Sequence, residues 1–106
     1  MSTSAPRLSV VISPKARRDL SQIWQYNSDA YDDDHADAYV EYLLSETAKL
    51  ETRYLLGKPV PSRRDLRFRI IRKGSGHGHY VVYRILTDNV EVLHYFHTAQ
   101  DWRRGL

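Results

Sequence analysis

The chain has 106 residues, of which 42% are hydrophobic and 27% are charged, and its formal net charge is +3. This length and composition are typical of one globular domain, so we expect a single domain over residues 1–106 with a flexible tail at residues 1–7. The lack of cysteine excludes disulfides and thiolate chemistry, and the lack of a long apolar run excludes a membrane-spanning helix. We therefore expect a cytoplasmic protein.

Charge is distributed unevenly along the chain. Residues 1–53 contain 6 Lys/Arg and 9 Asp/Glu, a balance of −3, whereas residues 54–106 contain 10 Lys/Arg and 4 Asp/Glu, a balance of +6. Twelve of the 16 basic residues are arginine, which suits bidentate contacts with carboxylates and phosphates. The C-terminal half therefore favours an acidic partner, either a protein or a nucleic acid.

The first half predicts one strand and one helix. Residues 8–12 are short and β-branched, as in a strand, and Ser13-Pro14 is a typical helix start. The helix that follows has an apolar stripe, and its Arg17, Arg18 and Asp19 lie off that stripe and should face water. The stripe consists of Ala16, Leu20, Ile23, Trp24 and Tyr31.

A second helix is predicted after the three aspartates at 32–34, one of which should cap it. Its apolar positions repeat every three or four residues up to Tyr54. Gly57 is placed to end the helix in the left-handed conformation, and Pro59 and Pro61 should block continuation. A short acidic turn between the two helices makes an antiparallel hairpin.

The second half changes to strands, at residues 66–72, 80–86 and 90–97. The glycine-rich segment 74–78 should connect the first two of them. The order β-α-α-β-β-β predicts an α+β fold, with an N-terminal strand and a helix hairpin packed on a small, curved antiparallel sheet. The expected core residues are Leu20, Ile23, Trp24, Val40, Leu43, Leu50, Phe68 and Ile70.

The last two strands carry apolar residues on both faces, although a helix hairpin can cover only one face. Two interpretations stay open. Loops and the C-terminal tail could close a second core, or an exposed groove could receive a segment of a partner.

Candidate chemistry begins with four histidines at 77, 79, 94 and 97, which are close in sequence. On a regular strand His94 and His97 point to opposite faces, and zinc needs convergent ligands, so we expect no metal site. Ribonuclease chemistry needs an acid, a base and cations for the phosphate. Residues that meet these needs on the sheet are His97, Arg67, Arg69, Arg84 and Tyr95.

Residues 63–73 contain six basic side chains in eleven positions, more than edge protection of a strand requires. With the C-terminal residues they should make one end of the molecule strongly positive. The residues predicted to bind a partner are Arg67, Arg69, Arg72, Arg84, His97, Trp102, Arg103 and Arg104.

Four stretches together resemble the ParE branch of the RelE/ParE toxin superfamily, over about residues 8–101. They are the opening strand with residues 13–24, the arginine-flanked strand 66–72, the Gly-His-Tyr-Val-Val-Tyr-Arg-Ile run at 78–85, and the strand 90–97. The resemblance implies the toxin component of a type II toxin–antitoxin system, of the kind used in plasmid stabilisation. It further implies a hetero-oligomer with a ParD-like antitoxin, whose acidic C-terminal segment wraps the toxin.

The ParE resemblance implies a non-enzymatic inhibitor of DNA gyrase that has no cofactor, no membrane contact, and DNA contact only through gyrase or the antitoxin. Two alternatives are a ribosome-dependent mRNA endoribonuclease of the RelE type, with the catalytic residues given above, and a degenerate, non-toxic binding module. The long hairpin favours the ParE branch. The chain departs from the ParE pattern at Thr98-Ala99-Gln100, where arginines usually follow the histidine.

Overall fold

The structure is a computed structural model that describes residues 6–74 and 78–102. None of the helices in these two ranges combines the length and the apolar character that crossing a bilayer requires. The helices are α1 (Pro14–Ala30), α2 (Asp33–Ala48) and α3 (Leu50–Arg53), followed by a 3-10 turn at Tyr54–Leu56. The strands are β1 (Ser9–Ile12), β2 (Lys58–Val60), β3 (Arg63–Ile71), β4 (His79–Ile85) and β5 (Asn89–His97).

Both predicted helix caps are confirmed. The Ser13 hydroxyl accepts a hydrogen bond from the Ala16 N–H at 3.1 Å, and Pro14 occupies the first helical position of α1. Asp32 caps α2, because its carboxylate accepts from the His35 N–H at 2.7 Å. Each cap satisfies an N–H group that a helix start leaves without an intrahelical partner, so the hairpin begins and turns where the sequence predicts.

The end of the second helix differs from the prediction. The helix ends at Ala48, and a short α3 and a 3-10 turn follow before Gly57. Gly57 has φ −69° and ψ 151°, so its predicted left-handed conformation is wrong. The chain instead extends into β2, which contains Pro59 and was not predicted. An edge strand accommodates proline at a position that faces away from the sheet, because no N–H donor is needed there.

The five strands form one mixed sheet in the order β1-β5-β4-β3-β2. The predicted meander is confirmed, since β3, β4 and β5 pair antiparallel in succession. β1 joins the sheet in parallel beside β5, with Ser9 opposite Asn89 and Ile12 opposite Val92. The α+β fold class is confirmed, and β2 adds a strand to the predicted order.

The sheet carries a core on each face. The helix-side core contains Leu20, Leu43 and Leu50 from the helices, packed against Val81 and Tyr83 of β4 and further residues of β5. The outer-face cluster consists of Val60, Leu66, Val82 and Trp102, with Phe68, Tyr80, Leu93 and Phe96 packed around them. The interpretation that loops and the C-terminal tail close a second core is therefore correct in part, since Trp102 packs into this outer-face cluster.

Ile70 is wrongly predicted as a core residue. Its side chain is 44% exposed, because β2 reaches along β3 only as far as Phe68. Tyr31 of the predicted α1 stripe is exposed as well, beyond the last residue of that helix.

Asp19 is also placed differently from the prediction, since it is buried rather than facing water. Its Oδ2 accepts a hydrogen bond from the Tyr95 N–H at 3.0 Å, and its Oδ1 contacts the Lys15 ammonium. β1 pairs with β5 no further than Val92, so Asp19 supplies the acceptor that an additional β1 residue would have provided. A buried carboxylate of this kind satisfies a main-chain group that would otherwise lack a hydrogen bond.

Candidate partner-binding surface

The basic run at residues 63–73 does not form one continuous stripe. Arg63 forms a bidentate pair with Asp65, at 3.1 and 3.0 Å. Arg67 donates to the Leu55 carbonyl at 3.2 Å and to the Gly57 carbonyl at 2.8 Å. Arg67 therefore holds the segment between the helices and β2 in place, and its charge is not freely available to a partner.

Three basic side chains around the end of β3 are available to a partner. In the described part of the chain, no ion pair involves Lys58, Arg69 or Arg72. Lys58 pairs with Phe68 across the sheet, and Arg72 directly follows β3, so the three charges border the same stretch of strand. Lys73 lies over the Tyr42 ring, 5.6 Å from its centroid.

Arg84 lies away from these cations, near the opposite end of β4. Its guanidinium binds the Glu91 carboxylate on β5, with Nε and Nη2 each 2.7 Å from Oε1. Arg84 and Glu91 are register partners, as are His79 and His97 at the other end of the same strand pair. Arg84 and His97 are thus separated by most of the length of the pair.

His97 forms a polar cluster with His79 and Tyr39. The two histidine rings are 5.3 Å apart and perpendicular, and the Tyr39 hydroxyl lies 2.5 Å from His79 Nδ1. His97 Nδ1 accepts from the Ala99 N–H at 3.0 Å. Within residues 6–74 and 78–102, no group of three or more candidate metal ligands comes together.

Tyr95 is buried in the helix-side core, where its hydroxyl lies 2.7 Å from Thr47 Oγ1. Burial raises the pKa of Tyr95 to about 12, which keeps the phenol protonated. The residues considered for a ribonuclease are therefore dispersed. Tyr95 is in the core, Arg67 and Arg84 are engaged elsewhere, and His97 is at the far end of the sheet.

Trp102 is a core side chain in this structure. Its ring stacks on Phe96, with centroids 5.5 Å apart, and makes an edge contact with Phe68 at 5.2 Å. It is not exposed to a partner in this position. Arg103 and Arg104, which were also predicted to bind, lie outside the described residues.

A groove opens beside Trp102 at the end of β3. Its volume is about 370 Å³, and its lining combines exposed apolar side chains with two of the available cations. The lining residues are Leu56, Lys58, Phe68, Arg69, Ile70 and Tyr80. Sequence reasoning missed Leu56 and Lys58 because β2 was not predicted, although the apolar residues on both sheet faces already indicated such a groove.

This fold and sequence match the family model described as ParE toxin of type II toxin-antitoxin system, parDE, over residues 10–102. The chain belongs to the ParE toxin family. It is also similar in structure to the chromosomal ParDE TA system from P. aeruginosa, with a TM-score of 0.73 and 15% identity, over 85% of this chain and 95% of that chain. At this identity the structural likeness supports the fold. No curated protein matches the chain in sequence.

In this ParE chain, Thr98 and Gln100 build a turn in place of the arginines expected after His97. The Thr98 N–H donates to the Gly78 carbonyl at 3.0 Å, and Thr98 Oγ1 accepts from the Gly78 N–H at 3.1 Å. Gln100 Oε1 accepts from the His97 N–H at 2.7 Å. The turn leads the chain to Trp102 on the outer face, so the departure from the family pattern has a structural role here.

We expect the stability of this ParE toxin to be sensitive to acid because His79 is buried. Burial and the neighbouring His97 lower the pKa of His79 to about 4, whereas the unfolded chain titrates near 6.5. Between these values the unfolded state binds more protons, so stability falls as the pH drops. We expect a loss of roughly 2–3 kcal/mol between pH 7 and pH 4 from this group.

Urea unfolding of the wild type and of His79→Gln at several pH values measures this loss. Burial also lowers the pKa of His94, so some acid sensitivity should persist in the variant. The difference between the two proteins in how steeply the free energy of unfolding falls with decreasing pH isolates the contribution of His79. Equal pH dependences would contradict the lowered pKa of His79.

Proposed function

We propose that this ParE toxin inhibits DNA gyrase without catalysing a reaction, and that an acidic, ParD-like antitoxin neutralises it. The family match over residues 10–102 carries the proposal. The solved neighbour is described as a ParDE TA system, in line with a toxin that is made together with an antitoxin. Such a toxin would act in the cytoplasm, would need no cofactor or membrane, and would meet DNA only through gyrase or the antitoxin.

The charge and the groove support an acidic protein partner. Residues 54–106 carry a balance of +6, and Lys58, Arg69 and Arg72 are free of ion pairs within the described residues. Leu56 and Ile70 expose apolar surface next to them. A partner segment that combines carboxylates with apolar side chains would neutralise the charges and cover this surface.

The ribonuclease alternative has less support from the geometry. It needs His97, Arg67, Arg69, Arg84 and Tyr95 around one phosphate, whereas Tyr95 is buried and Arg84 is paired with Glu91. A degenerate toxin would keep the fold and the antitoxin surface but would not arrest growth.

Purified gyrase tests the proposal directly. We expect the toxin to inhibit supercoiling and to increase cleaved DNA, and we expect antitoxin added beforehand to abolish both effects. Expression in bacteria should arrest growth with induction of the SOS response, and co-expressed antitoxin should rescue growth.

Two results would redirect the proposal. Unchanged gyrase activity together with transcript cleavage that His97→Ala abolishes would support the ribonuclease. Unchanged gyrase activity with normal growth would support the degenerate module.

A further inference from the structure

The outer face of the sheet is covered on one side only. Toward β3 and β2, Val60 and Trp102 pack on it within the outer-face cluster. Toward β1 and the end of β4, Val11 and Leu86 remain 47% and 39% exposed. The helices of the described residues contribute to the helix-side core instead. Apolar surface that stays exposed beside a completed core marks a contact with another molecule.

Strand alternation places five side chains together on this exposed side. On β1, β5 and β4, a residue between two that pack in the helix-side core points to the outer face. These residues are Val11, Glu91 and Arg84, and the strand register aligns them in one row across the sheet. Leu86 and Leu93 follow Arg84 and Glu91 by two residues and flank the row on opposite sides. We call these five residues the β1-side patch.

The ion pair at the centre of the patch uses only part of its hydrogen-bonding groups. Arg84 Nε and Nη2 both contact Glu91 Oε1, and the two side chains are 43% and 26% exposed. Within residues 6–74 and 78–102, no hydrogen bond involves Glu91 Oε2 or Arg84 Nη1. The pair therefore presents both an acceptor and a donor to a molecule that covers the patch.

A second copy of this chain supplies the matching groups. Two-fold symmetry brings the same patch of both copies together, so a patch that carries one cation beside one anion complements itself. With the axis parallel to the strands and between β4 and β5, Arg84 of each copy lies over Glu91 of the other. Arg84 Nη1 can then donate to Oε2 across the interface. A segment with charges of a single sign would instead oppose one member of the pair.

This arrangement also keeps the basic regions of the two copies apart. The same axis places β3 of one copy over β1 of the other, because the strand order is β1-β5-β4-β3-β2. Lys58, Arg69 and Arg72, which lie on and beside β3, therefore end on opposite sides of the pair. At physiological ionic strength charges more than about 8 Å apart are largely screened, so the net charge of +3 on each copy opposes pairing only weakly.

We propose that the β1-side patch is an interface through which two copies of the toxin pair with two-fold symmetry. Val11, Leu86 and Leu93 would lose their contact with water, and the two ion pairs would join into a ring of four alternating charges. A patch of five side chains is small for a stable interface, so the dimer is weak and reversible. This inference goes beyond the proposed function and does not depend on it, because the patch lies outside the groove beside β3.

Charge reversal tests the interface, with sedimentation equilibrium of the purified toxin as the measurement. We expect the average mass of the wild type to rise from monomer toward dimer with concentration. Arg84→Glu and Glu91→Arg should each weaken pairing about tenfold or more, since like charges then meet across the axis. Mixing the two variants should restore pairing, because one copy then carries two cations and the other two anions. Loss of the pair within one chain cannot be repaired by mixing, so a mixture that stays monomeric would overturn the proposal.

Two leucines provide a matched control for the location. Leu86→Asp should weaken pairing about tenfold or more, whereas Leu44→Asp on α2 should leave it unchanged, and the two side chains are similarly exposed at 39% and 38%. Equal effects would overturn the assignment to the outer face. Pairing that appears only after residues 103–106 are removed would mean that the chain's own end covers the patch. A wild type that stays monomeric while Leu86→Asp weakens antitoxin binding would assign the patch to the antitoxin, and either result would overturn the proposal.

Discussion

Replacing Gly57 with alanine should lower the free energy of unfolding by about 3 kcal/mol or more, because the new methyl group has no space. A Cβ at this position would lie 2.0 Å from the Tyr83 hydroxyl oxygen and 2.8 Å from its Cζ. The Tyr83 ring is fully buried and cannot move away easily, since its hydroxyl donates to the Tyr54 carbonyl at 2.7 Å. Arg67 fixes the same segment from the Gly57 carbonyl.

Gly74→Ala is the matched control for this glycine. No atom lies within 4 Å of a Cβ at Gly74, so alanine would meet no steric contact there. The φ of 75° at Gly74 is unfavourable for alanine, so the only cost is that of the backbone conformation. That cost should be about 1 kcal/mol. Chemical denaturation of both variants checks the difference, and equal losses would show that contact with Tyr83 is not what requires glycine at position 57.

Leu43→Ala should cost about 3–5 kcal/mol, the largest effect we expect from truncating a single core side chain. Leu43 has no exposed surface and belongs to the helix-side core, to which the helices and the sheet both contribute. Removing three carbons from this close-packed core leaves a cavity that the neighbours can close only in part, so the lost burial and the cavity both contribute.

Leu44→Ala is the neighbouring control on the same helix. Leu44 is 38% exposed, so its truncation should cost less than about 1 kcal/mol, although both changes have the same effect on helix propensity. Thermal and urea unfolding distinguish the two variants. Similar losses would mean that α2 faces the core through a different side of the helix.

The parts of the fold that sequence predicted are those governed by local rules. Ser13 and Asp32 cap helices because their side chains reach N–H groups three residues on, a distance fixed by helix geometry. The close approach that requires glycine at position 57 and the hydrogen bond of the buried Asp19 involve residues 26 and 76 positions away, Tyr83 and Tyr95. No periodicity in the sequence reports such contacts.

For the candidate surface, the sequence predicted the apolar region but not which of the basic residues are available. The apolar residues on both sheet faces indicated a second buried region or groove, and the structure contains both. The arginine run could not be divided in advance, because Arg67 binds two carbonyls of a segment whose path depends on β2. The position of Lys58 beside Arg69, and the part of β3 that β2 leaves without a partner, become apparent only with the register of β2 against β3.

The parallel pairing of the first strand with the last also has a kinetic consequence. The Ser13 hydroxyl and the Leu93 carbonyl are 80 positions apart, and the ladder between β1 and β5 closes a loop of about that length. Contacts this distant slow folding, because much chain entropy is lost before they form. A nascent chain on the ribosome cannot complete the sheet until β5 has emerged. The toxin would therefore acquire its native surface only after β5, the last strand of the described sheet, has been synthesised.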